Sequence, residues 1–126
     1  MKKDKYNDYL QILKEELVPA MGCTEPIAIA YAAAKAREIL GKIPEKVIAK
    51  CSGNIIKNAM CVTVPNTGDL VGIKASAIIG ILAGDSSKEL EVISKVKKEH
   101  ILEANRLMSE EYCFVERLDT DIQLHI

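Results

Sequence analysis

The residue in this sequence best placed for chemistry is Cys23. It sits in Ala20-Met21-Gly22-Cys23-Thr24-Glu25-Pro26, just ahead of the apolar run from Ile27 to Leu40. Thr24 carries the hydroxyl of a helix N-cap. Glu25 places an acid at the positive end of that helix, and Pro26 falls in its first turn, where a missing N–H costs little. The spacing predicts a helix capped by Thr24 with a thiol immediately before it. The helix dipole there favours the thiolate, the form that binds a metal or attacks an electrophile. Gly22 permits close backbone approach or a positive φ. A small buried thiol beside a buried helix satisfies the same residues, so position alone leaves both readings open.

Two more loops carry unusual side chains, Ser52-Gly53-Asn54-Ile55-Ile56-Lys57-Asn58 and Pro65-Asn66-Thr67-Gly68-Asp69. Each joins a glycine to amide or hydroxyl groups. Lys57 adds a point charge suited to a carboxylate or phosphate. The second loop is predicted to lead into a helix N-terminus, a natural anion site. Neither spacing is a Walker loop or G-x-G-x-x-G, so nucleotide binding has little support. Gly, Asn and Thr also make turns, and Asn66 or Asp69 equally suits a helix cap.

The elements that must position these loops follow from periodicity. Lys3 to Val18 reads as an amphipathic helix with Tyr6, Tyr9, Leu10, Leu13 and Leu17 on one stripe, ended by Pro19. Glu25 to Leu40 is alanine-rich on nearly all faces, the pattern of a buried helix, and Gly41 is its expected stop. Val47 to Cys51 reads as a short strand, Ile55 to Met60 as a helical turn, and Cys61 to Val64 as a second short strand. Asp69 to Ala83 reads as a third helix, in which Gly72 and Gly80 imply tight packing. A fourth helix begins near Ser87 and runs, with a kink, into 99–110. Tyr112 to Arg117 and Asp121 to Ile126, joined by Leu118-Asp119-Thr120, read as a β-hairpin. The expected class is α+β: a buried Ala-rich central helix with surrounding helices, short strands and a C-terminal hairpin. The last strand stops within an apolar alternation, so the chain reads as a piece of a longer protein. An unpaired edge at 121–126 suits a homodimer.

The 126 residues are one domain's worth, with 48% apolar and 28% charged side chains, which fits a globular core. Aromatic residues are few, so that core is built from Ile, Val, Leu and Ala. Net charge is −1 with signs interspersed, which gives no pull toward nucleic acid or an anionic membrane. The N-terminal residues have no apolar signal core, and no run reaches the ~20 apolar residues of a membrane span. A cytoplasmic protein is expected. Cys23, Cys51, Cys61 and Cys113 are widely spaced with no C-x-x-C, against a zinc knuckle or thioredoxin-type site.

Taken together, Met-Gly-Cys-Thr-Glu-Pro at 21–26, Ser-Gly-Asn-Ile-Ile-Lys-Asn-Ala at 52–59, Val-Pro-Asn-Thr-Gly at 64–68 and Gly-Asp at 84–85 resemble the N-terminal part of the L-cysteine desulfidase family. That family is related to the alpha chain of iron–sulfur L-serine dehydratase. The resemblance implies that residues 1–126 are the N-terminal part of a longer lyase. Such a lyase eliminates the β-substituent of L-cysteine or L-serine, giving pyruvate and ammonia, with sulfide released from cysteine. It implies a [4Fe–4S] cluster in the full-length enzyme, with Cys23 as one ligand and the others beyond Ile126; the cluster is expected to be absent from this piece. The remaining cysteines are read as core. An open iron would then act as a Lewis acid on the leaving group. By position, Asn54, Lys57, Asn58, Asn66 and Thr67 become the candidates for contacts to the substrate's carboxylate and amino groups, while no base is assigned. The rival reading is a stand-alone module that binds a small anion and holds no cluster.

Overall fold

The computed structural model describes residues 3–16 and 22–126. Its elements are α1 (Lys3–Glu16), α2 (Thr24–Leu40), β1 (Val47–Ser52), α3 (Gly53–Ala59), α4 (Gly72–Ala83), a 3₁₀ segment (Ser86–Glu91), α5 (Lys98–Ser109) and β2 (Cys113–Leu118). The class is α+β, as the periodicities predict. The sequence positions Leu17 to Met21, including the expected stop at Pro19, lie outside the described residues. Among those described, no helix is long and apolar enough to cross a membrane.

The helix buried on most sides is α4: nine of its residues, from Gly72 through Ile81, are shielded from solvent. Its composition explains this, because a helix apolar all round has no face to give to water. The Ala-rich α2 lies against it and buries one side, through Ile27, Ile29, Ala30 and Ala34, while Tyr31, Lys35 and Ala36 face solvent. The two helices touch backbone to backbone. A Cβ placed on Gly80 would come within 2.3 Å of the Ala30 carbonyl oxygen, and one on Gly84 within 2.6 Å of the Ala34 Cβ. Arg37 of α2 then reaches the end of α4, donating to the carbonyls of Ile81 (2.8 Å) and Gly84. A cation at the negative helix end satisfies carbonyls left without intrahelical partners.

The C-terminal hairpin is not formed. β2 pairs parallel with β1, in the register Val47↔Cys113 through Ser52↔Leu118, and this pair is the one sheet among the described residues. Local alternation is indifferent to partner direction, and the true partner lies more than sixty residues upstream. Residues 121–126 form no strand, so the edge expected to support a homodimer is absent there. Instead the tail folds back on β1: the Ser52 N–H donates to the His125 carbonyl (2.8 Å), and the Ser52 hydroxyl donates to that of Gln123.

The other differences are local. Thr63 and Val71 make a single antiparallel bridge in place of a strand at 61–64. That bridge also delays α4 to Gly72, so the turn at 65–68 does not lead into a helix. The expected fourth helix is broken into the 3₁₀ segment and α5, and the 3₁₀ segment is itself kinked at Glu89, which has a positive φ of 52°. α1 is helical as expected, yet its residues from Asp4 to Glu15 are all exposed, including Tyr6, Tyr9, Leu10 and Leu13.

Candidate functional site

β1 runs directly into α3. Ser52 is the junction: it is buried, and its hydroxyl accepts from the Ile55 N–H at 3.4 Å as the N-cap of α3. A hydroxyl cap of this kind fixes where the helix starts, and so fixes Asn54 and Lys57, both of which face solvent. The neighbouring strand ends alongside, with Cys51 opposite Arg117 and Ser52 opposite Leu118. Arg117 shares the inward side of β2 with Cys113 and Val115, but it lies past the end of the core. Its guanidinium therefore emerges across Gly53, where an added Cβ would lie 3.1 Å from Nη2 and 3.2 Å from Nε. A methyl there would crowd the guanidinium and make it shift.

The result is a polar cleft of about 350 Å³ at the carboxyl ends of two parallel strands. Ser52, Gly53, Asn54 and Lys57 form one wall; Arg117 and the tail from Thr120 to Gln123 form the other. Carboxyl ends of parallel strands are where open α/β sheets place ligands. Two cations, two amide residues (Asn54 and Gln123) and one acid, Asp121, line this one. A guanidinium offers a planar fork to a carboxylate and an ammonium offers a point charge, so the pair can hold a small anion with defined orientation. The Thr120 hydroxyl accepts from the Ile122 N–H and meets His125 Nδ1, both at 3.1 Å, which shapes the tail wall.

The cleft brings Asn54 and Lys57 together, but Cys23, Asn58, Asn66 and Thr67 do not line it. Asn58 is exposed on α3. Thr67 is buried and its hydroxyl donates to the Val64 carbonyl at 2.6 Å. Asn66 takes a left-handed φ of 61°, and its amide donates to the carbonyls of Ile93 (3.1 Å) and Ser94 (3.2 Å). Those groups hold a turn and dock it on the chain after the 3₁₀ segment. The turn does meet the Cys23 loop, since a Cβ on Gly22 would lie 2.8 Å from Pro65 Cγ. Nothing in the sequence singles out Arg117, because the alternation around it suits a hairpin strand equally well. The signal for it is long-range, the parallel register with β1.

Cys23 is itself the N-cap residue of α2, so the helix starts one place earlier than the cap expected at Thr24 implied, and Cys23 is exposed. The Thr24 hydroxyl instead points to the Glu25 carboxylate at 3.5 Å. Cys51 and Cys113 are core residues as read from the sequence, and burial pushes both thiols up, Cys113 to about 11. Cys61 is not core; it is exposed in the turn after α3. Among the described residues no three His, Cys, Asp or Glu side chains gather as a metal-ligand group. A cubane cluster needs about three or four thiolates, so the residues described here do not by themselves fit one.

The chain is similar along nearly its whole length to proteins named UPF0597 protein. It is 51% identical to one from Treponema denticola over 124 residues, 98% of this chain. It is 52% identical to one from Lachnoclostridium phytofermentans over 121 residues, and 55% identical to one from Desulfitobacterium hafniense over 117. The chain spans 29%, 29% and 27% of the length of these three relatives. No family model and no solved structure matches it. These findings overturn the resemblance to the L-cysteine desulfidase family drawn from the loop motifs: the relatives that match across the chain carry the UPF0597 name and neither the desulfidase nor the dehydratase name. Short motifs of Gly, Asn, Pro and Thr are partly turn chemistry, as Asn66 and Thr67 illustrate, and they weigh less than identity over a whole chain.

Proposed function

We propose that this chain supplies the carboxylate-binding part of a larger lyase, one that eliminates the β-substituent of a small amino acid, L-cysteine or L-serine, to give pyruvate and ammonia. The observation that carries the reading is the meeting of Lys57, Arg117 and Asn54 at the carboxyl end of the β1–β2 pair. Removing the α-proton of an amino acid builds negative charge next to a carboxylate that is already negative. Two cations on that carboxylate lower the cost, and fixed donors do so without reorganisation. Asn54 offers an amide oxygen to the amino group. Gly53 keeps the path of the guanidinium clear, and Ser52 holds both walls in place.

A second reading has its own support. The same cation pair holds any small carboxylate or phosphate, and no described residue is assigned as the base. A module that binds a small anion without chemistry would need no more than this cleft. Turnover by the full-length Treponema denticola relative separates the two. The lyase reading expects release of pyruvate from L-cysteine or L-serine, with KM raised tenfold or more when the positions aligned with Lys57 and Arg117 are changed to alanine. Binding of pyruvate or lactate with no turnover of either amino acid, under anaerobic conditions with iron supplied, favours the module.

A further inference from the structure

A second hollow lies beside β1 rather than at its carboxyl end. It is a groove of about 420 Å³ between α2 and β1, floored by Ala33, Ala36, Val47 and Ile48. Three cations line it and no acidic residue does; Arg37 is committed to the carbonyls at the end of α4, Lys50 lies 3.9 Å from the exposed Glu116 carboxylate, and Lys46 has no carboxylate partner among the described residues. The surface beside it is apolar as well: Ile39, Leu40 and Ile43 are each at least half exposed. Ile48 is 57% exposed, and Phe114 stands opposite it in the register with Lys46 Nζ 5.4 Å from its ring centre.

Parallel strands are normally covered on both faces, and a two-stranded sheet is marginal by itself. Here α4 covers one face of β1 and β2, while the face bearing Ile48 and Phe114 is open. Contiguous exposed apolar surface of this kind marks an interaction site. The relatives preserve this region at about half identity, yet most of their length lies outside it. We propose that the groove and the open sheet face are the seat of a segment from that additional part of the longer proteins. The segment would be apolar along the side laid on Ile48 and Ala36, and acidic at its flank to meet Lys46 and Lys50. The inference is independent of the anion cleft, which opens at the strand ends.

Site-resolved thiol labelling tests it. Cysteine is placed at Ile48 or, as an exposed control on α5, at Leu102, which is 71% exposed. The same substitutions are made at the aligned positions of the full-length Treponema denticola relative, and peptide mass spectrometry reads each site apart from the native cysteines. In the 126-residue chain both sites should label at comparable rates. In the full-length relative the site aligned with Ile48 should label at least tenfold more slowly than the one aligned with Leu102, at a concentration where sizing gives a single species. Comparable labelling of the two sites in the full-length relative overturns the proposal. So does protection of Ile48→Cys in the 126-residue chain that grows with concentration, because it would assign the groove to a second copy.

Discussion

At the scale of single residues, the site depends on Gly53, Lys57 and Arg117, and the turn depends on Asn66 and Thr67. Gly53→Ala would set a methyl against the guanidinium of Arg117. A flexible side chain yields to such a contact, so the expected result is weakened anion binding, at least threefold, with unfolding unchanged to within about 1 kcal/mol. Isothermal titration with pyruvate alongside urea unfolding reads both. Thr67→Val removes the donor to the Val64 carbonyl inside the core and should cost about 1–2 kcal/mol in urea unfolding. Asn66→Gly keeps the left-handed turn but loses the amide bonds to residues 93 and 94. If Asn66 acts only through those bonds, Asn66→Gly lowers stability and leaves pyruvate affinity as it was.

At the scale of elements, the α2–α4 contact holds the fold together. Gly80→Ala would drive a methyl into the backbone of Ala30, which cannot move aside without moving a helix. A loss of about 2–3 kcal/mol or more is expected, visible as a fall in urea midpoint or failure to fold. Beyond the end of α4, the contact between α2 and the 3₁₀ segment is expected to depend on pH. Glu38 accepts from the hydroxyl and the N–H of Ser86, and these bonds, with Arg37 nearby, hold its carboxyl below the usual range. A depressed folded-state pKa means the contribution is present above the unfolded carboxyl value and fades as pH falls through the folded one. Glu38→Gln should therefore be less stable than the parent at pH 7, and the two should converge under acid; parallel pH profiles would contradict this. α1 was legible in the sequence by its period, and α2 and α4 as long apolar runs, with Gly80 legible as a packing glycine inside the second of them; the single helix expected from Ser87 onward is two elements. The direction of the strand pair was not legible, since nothing local in Cys113 to Leu118 records that its partner is Val47 to Ser52.

At the scale of the whole molecule, the candidate site was half legible. Asn54 and Lys57 stand out in the sequence because their loop is unusual in itself, whereas Arg117 joins them in the cleft only through the parallel register. Asn66 and Thr67 drew notice for residue types that the turn alone requires. The central claim is that the cleft at the strand ends holds a small carboxylate on Lys57 and Arg117, and amide chemical shifts of the isotopically labelled 126-residue chain under titration with pyruvate test it most directly. One open wall and two exposed cations suit an affinity on the order of millimolar. The account predicts saturable shifts at Gly53, Asn54, Arg117 and Thr120, abolished in the Lys57→Ala, Arg117→Ala double variant while the rest of the spectrum is kept. Shifts that persist in that double variant, or that appear instead around Asn66 and Cys23, would contradict it.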